Sequence, residues 1–108
     1  MNERLTGLLG MARRAGRLTA GFDAVKDLIT AKKAQLVLMA ADLSPKTEKE
    51  LRFTANDTVP LLTTALTKDE IGHAGGWQKP VGVIATEDKG FAAAMLRAAD
   101  RRNEEDAI

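Results

Sequence analysis

The chain has 108 residues, 44% of them hydrophobic, which suits one domain with a modest core and leaves no material for a second. It holds no cysteine and a single histidine, so disulfides and cysteine-held zinc are excluded and a metal centre of any kind is disfavoured. The formal net charge of +1 conceals an asymmetry: residues 1–35 carry seven basic groups against three acids, net +4, while the remainder is net −3. A basic first third suits a polyanion partner, and on charge alone a solvated basic face explains it equally well. No apolar run reaches the roughly 18 residues that a membrane span requires, and the first residues lack the apolar core of a signal peptide. The expectation is a cytoplasmic protein with no membrane segment.

In chain order, Leu5, Leu8, Leu9, Ala12 and Ala15 recur at helical spacing, with Arg13 and Arg14 in the last turn and Gly16 as the stop. Leu18 and Thr19 suit a short strand before Gly21. Phe22, Val25, Leu28 and Ile29 mark a second helix ending near Thr30, and Lys32 and Lys33 occupy the turn after it. Residues 35–41, QLVLMAA, read as a strand buried on both faces. Ser44 and Pro45 then suit an N-cap and first helical position, with Thr47, Leu51 and Thr54 or Ala55 facing inward as far as Asn56. Val59 to Thr64 reads as a second buried strand, with Pro60 near its start. Thr67 and Glu70 form a capping-box pattern for a helix closed by Gly75 and Gly76. Pro80 to Ala85 reads as a third buried strand. The last helix is expected from Lys89 to Asn103, with Phe91, Met95, Ala98 and Ala99 inward. This alternation predicts an α/β chain whose mixed, mostly parallel sheet is covered by helices on both faces. Residues 1–103 form the domain, and 104–108, with Glu104, Glu105 and Asp106, a short acidic tail.

No catalytic constellation emerges. His73 falls on the fourth helix without an identifiable nucleophile or orienting carboxylate, and is read as a surface or partly buried side chain. Gly72, Gly75 and Gly76 do not form the strand, glycine loop and helix of a dinucleotide site. The chain is therefore read as a non-enzyme that needs no cofactor. The segment from Arg17 to Lys26 differs: a glycine opening a helix lets a phosphate approach free backbone N–H groups, and Arg17 and Lys26 add charge. Alternatively, Gly21 is simply the N-cap of a core helix.

Read together, four segments resemble the ribosomal protein L7Ae and L30e superfamily. They are the glycine-led helix Gly21 to Ile29, the strand from Ala34 to Asp42 followed by Ser44-Pro45, the pair Val59-Pro60, and Glu70-Ile71-Gly72-His73-Ala74-Gly75-Gly76. The run from Leu8 to Arg17 and the later Asp88-Lys89-Gly90-Phe91-Ala92 are similar to the family's bacterial YlxQ branch. The resemblance implies a three-layer α/β/α sandwich of the L30e type and binding of structured RNA, typically kink-turns or related internal loops, ribosomal or otherwise noncoding.

Carried onto this chain, the resemblance implies a contact surface at Gly21, Phe22, Asp23 and Lys26, with Lys32 and Lys33 gripping phosphates and Ala85 and Thr86 packing on nucleotides. Arg13, Arg14 and Arg17 complete the expected basic surface. Kink-turn binders carry Asn-Glu where this chain has Asp23-Ala24, and lysine where it has Asp27. Asp23 can accept hydrogen bonds from a guanine edge, but Ala24 cannot, so RNA binding is expected with weakened kink-turn specificity. The aromatics do not form a stacking platform: Phe22 and Phe91 suit the core, and Trp77 suits packing or contact equally. The expected molecule is a monomeric, noncatalytic RNA binder. The competing reading is a protein-interaction adaptor of the ribosome or the transcription and translation machinery.

Overall fold

In the computed structural model, which describes residues 3–99, the apolar periods resolve into five helices and four strands. Helix α1 (Glu3–Arg14) buries Leu5, Leu9 and Ala12. Its acid lies in the first turn and its arginines in the last, as the helix dipole favours, and the chain turns at Gly16 with φ 71°. Strand β1 (Thr19–Ala20) leads through Gly21 into α2 (Phe22–Thr30), which buries Val25 and Ile29. Strand β2 (Leu36–Met39) is the centre of the apolar run and is buried at all four positions. Helix α3 (Pro45–Ala55) opens at Ser44, whose hydroxyl accepts from the Thr47 amide at 3.1 Å, and closes at Asn56 in the left-handed conformation.

After β3 (Leu61–Thr63), α4 (Lys68–Gly75) starts with the expected reciprocal cap. The Glu70 amide donates to the Thr67 hydroxyl at 3.2 Å, and the Thr67 amide to the Glu70 carboxylate at 2.9 Å. Strand β4 (Val83–Thr86) is wholly buried, and α5 (Lys89–Ala99) follows at once, its Phe91 amide donating to the Asp88 carboxylate at 2.9 Å. The expected continuation of the last helix to Asn103 and the acidic tail lie outside the described residues.

Alternation of side chains along the two central strands divides the core into two layers. Leu36, Leu38, Ala40 and Ile84 meet α1, α4 and α5 on one face, and Val37, Met39, Val83 and Ala85 meet α2 and α3 on the other. This is the expected three-layer α/β/α sandwich. The sheet order is β1-β4-β2-β3, and the sheet is mixed.

It is not mostly parallel, however: β4 runs antiparallel to both β1 and β2, and β2–β3 is the parallel pair. The cause lies in residues 76–82, of which Pro80 to Gly82 read as strand in the sequence. They run back along α4 instead, with the Trp77 amide donating to Gly72 O at 2.9 Å and the Val81 amide to Lys68 O at 3.0 Å. The chain is thus returned to the end of the sheet where α4 began, and the next strand has to run the opposite way. The segment 59–64 also differs from expectation. As an edge strand, β3 leaves Leu61 and Leu62 half-buried rather than covered on both faces. Among the described residues no helix is long and apolar enough to cross a membrane.

Candidate nucleic-acid interface

The strand directions give the sheet two different ends. At one, Gly21 connects β1 to α2, with its amide donating to Val83 O at 3.0 Å. At the other, Gln35 donates to Thr86 O at 2.8 Å and β4 turns into α5.

Gly21 has φ 102° and ψ 149°, a conformation essentially closed to residues with a Cβ. No side chain caps α2, and its first intrahelical bond is from Val25 N–H to Gly21 O at 3.0 Å. The amides of Phe22, Asp23 and Ala24 therefore have no acceptor within the helix and lie at its positive end, an arrangement suited to an anion. Asp23 and Ala24 are exposed, and Phe22 is half-buried against the α2–α3 layer. Lys26 sits one turn along, its ammonium 5.6 Å from the Phe22 ring centroid and 3.9 Å from the Glu50 carboxylate of α3. Both members of that ion pair are about half exposed, so it costs little to exchange Glu50 for a phosphate.

Further groups lie toward this end: Lys68 at the start of α4, and the residues that the 76–82 segment carries back along that helix. Ala40 N–H donates to Gly82 O at 2.9 Å, and Lys68 N–H donates to the Asp42 carboxylate at 2.8 Å. Lys68 is half-buried, Lys79 and Pro80 are exposed, and Gln78 holds a positive φ of 59°. Asp69, His73, Gln78, Lys79 and Pro80 line an open depression of about 250 Å³. Among the described residues neither Lys68 nor Lys79 has an acid within ion-pair distance, so both ammonium groups are available to a ligand. Asp23 and Asp69 keep the surface from being uniformly positive. Lys68 and Lys79 were not singled out from the sequence, although the glycines at 72, 76 and 82 that permit the return are visible there.

The remaining expected residues are placed elsewhere. Lys32, with φ 60°, and Lys33 are exposed at the far end of α2, whose nine residues span about 13 Å, so they are not beside Gly21. Arg17 precedes β1 at that same far end, its Nε 3.8 Å from the Asp88 carboxylate. Ala85 and Thr86 are each 2% exposed, and the Thr86 hydroxyl accepts from the Asp88 amide at 3.1 Å; burial leaves them no surface to offer a nucleotide. Arg14 is exposed. Arg13 is half-buried, and its guanidinium donates to Gly75 O at 3.1 Å and lies 4.5 Å from the Trp77 ring centroid. The structure thus separates the single basic surface expected from the sequence into two ends and one internal contact. His73 is exposed at the depression, and no group of three potential metal-ligating side chains gathers among the described residues.

Comparison with known proteins places these features in context. Residues 3–96 match the sequence model of the ribosomal protein L7Ae/L30e/S12e/Gadd45 family. A Bacillus subtilis protein described as RNA-binding protein YlxQ is 31% identical over 93 residues, covering 86% of this chain and 92% of its own. Among solved structures, a Bacillus halodurans protein of unknown function superposes with a TM-score of 0.83 at 26% identity, over 93% of this chain and 99% of its own. The Giardia lamblia 15.5kD RNA binding protein superposes with a TM-score of 0.70 at 20% identity, over 94% and 86% of the two chains, a likeness of fold.

Proposed function

Because the chain belongs to the ribosomal protein L7Ae/L30e/S12e/Gadd45 family, in its YlxQ-like branch, we propose that it is a noncatalytic binder of structured RNA. Its target in this reading is a kink-turn or a related internal loop, engaged at the Gly21 end of the sheet. The observation that carries the proposal is the uncapped start of α2 at Gly21, with Lys26 one turn along and, on the α4 layer of the same end of the sheet, Lys68 at the helix start and Lys79 in the return loop. The α2 amides are suited to phosphate, and the lysines to the backbone that fixes register. Asp23 is the one first-turn side chain able to accept from a guanine edge, so the site reads fewer base groups than an Asn-Glu pair does.

The test is titration with a kink-turn RNA, a simple bulge and a perfect duplex of equal length. The unmodified protein should bind all three with a modest preference for the kink-turn. Asp23→Asn with Ala24→Glu should raise kink-turn affinity by about 1–3 kcal/mol, a figure taken from bidentate base contacts in DNA complexes, and leave the duplex unchanged. Tight, selective binding of the kink-turn by the unmodified chain would show that Asp23-Ala24 is not a weakened reader. Absence of binding to every RNA would remove the proposal. In that event the adaptor reading gains weight, since Phe53 on α3 is 86% exposed and offers an aromatic to a protein partner.

A further inference from the structure

Between its bonds at Trp77 and Val81 to α4, the return loop exposes Gln78, Lys79 and Pro80, and the Lys79 carbonyl lies against Gly72 of α4. At the loop's start the side chain of Trp77 is seated on the end of α4. Gly75 gives the indole its place: a Cβ there would lie 2.1 Å from Trp77 Cζ3 and 2.4 Å from Cε3. Gly76, at φ 77°, makes the turn that folds the ring back.

The other support comes from 64 positions earlier in the chain. Arg13 places its guanidinium 4.5 Å from the ring centroid and donates from Nη1 to Gly75 O at 3.1 Å. A cation at the last carbonyls of α4 also meets the negative end of that helix. One side chain therefore holds both the indole and the backbone turn that carries it, by a cation–π contact and a charge-assisted hydrogen bond. Arg14, the next residue, is exposed and makes neither contact.

We propose that Arg13 and Trp77 form a latch that positions the return loop for RNA. Arg13 then governs affinity through Trp77 and not by touching phosphate. The latch rests on the RNA-binding reading for its purpose, but not for its existence, and one experiment separates the two. Trp77 is the single tryptophan and the chain has no tyrosine, so its fluorescence reports on the latch alone.

Arg13→Gln, Arg13→Lys, Trp77→Leu, the Arg13→Gln/Trp77→Leu double variant and the control Arg14→Gln are compared, with far-UV circular dichroism to confirm folding. Without RNA, Arg13→Gln should red-shift Trp77 emission and increase its quenching by acrylamide. Arg13→Lys should do so less, and Arg14→Gln not at all. With kink-turn RNA, Arg13→Gln should weaken binding by roughly three- to tenfold, the range expected from losing one such contact pair, while the log–log salt slope stays unchanged. The double variant should bind no more weakly than Trp77→Leu.

An emission spectrum indifferent to Arg13→Gln would overturn the latch whatever the RNA result. A salt slope reduced by about 0.9 units would make Arg13 a phosphate contact instead, and additive losses in the double variant would uncouple it from Trp77. Failure of the unmodified protein to bind any RNA would overturn the latch's role and the RNA reading together. If Arg13→Gln proves unfolded, Arg13→Lys is judged by the same readouts.

Discussion

Replacing Gly72 with alanine sets two opposite effects against each other, and the structure decides which prevails. Within α4 the substitution gains up to about 1 kcal/mol of helix propensity. The new Cβ, however, would stand 1.8 Å from Lys79 O and 2.9 Å from its carbonyl carbon. Ordinary contact between carbon and oxygen is about 3.3 Å or more, so the loop has to withdraw by roughly 1.5 Å. The obstacle is backbone and cannot rotate away. Withdrawal strains the bonds from Trp77 N–H to Gly72 O and from Val81 N–H to Lys68 O, each contributing about 1 kcal/mol, and overpacking adds about 1–3 kcal/mol. After the helix gain is subtracted, a loss of ~2–4 kcal/mol is expected. For a domain of this size that lowers the melting temperature by about 8–30 °C in a thermal scan followed by circular dichroism. An unchanged or higher melting temperature would refute the account of the return loop.

Two further outcomes are expected. Thr67→Ala removes one half of the α4 capping box and should cost about 1 kcal/mol in denaturant titration; no loss would mean that water replaces the cap without penalty. Lys68→Ala with Lys79→Ala should reduce the log–log salt slope of RNA binding by nearly two units, at about 0.9 per phosphate contact, whereas Lys32→Ala with Lys33→Ala should change it less. Equal effects would mean that the RNA reaches both ends of the sheet.

The helices were legible in the sequence because their signals are local. The spacing of Leu5, Leu9 and Ala12, the Ser44-Pro45 start and the Thr67–Glu70 pair each act within a few residues, and each appears as expected. The central strands were legible because burial on both faces leaves apolar runs without alternation. Strand direction was not, because it depends on a seven-residue segment whose path is set by contacts with α4. Pro80, Val81 and Gly82 continue an apolar pattern into β4, so periodicity alone assigns them to the strand. The same segment decides the candidate site. Reversing β4 put Ala85 and Thr86 at the end away from Gly21, and the return itself carried Lys79 back toward the end where Lys68 opens α4. Arg13 illustrates a second limit: its charge was visible, but its partner, 62 positions away, was not.

The partners of the first helix lie late in the chain. Helix α1 packs against α4 and α5, and β1 joins the sheet through β4. During synthesis Leu5, Leu8 and Leu9 therefore lack their helical cover until residues 68–99 have been made, with Leu36, Leu38 and Ala40 among the residues of their layer present earlier, and a helix of 12 residues is marginal by itself. The α2–β2–α3–β3 segment, by contrast, brings together much of its own core layer as it emerges. At ~5–20 residues per second, the N-terminal apolar face waits several seconds for its counterpart. Residues 3–20 are thus made well before most of what secures them, and the latch at Arg13 closes only with α4 and Trp77 in place.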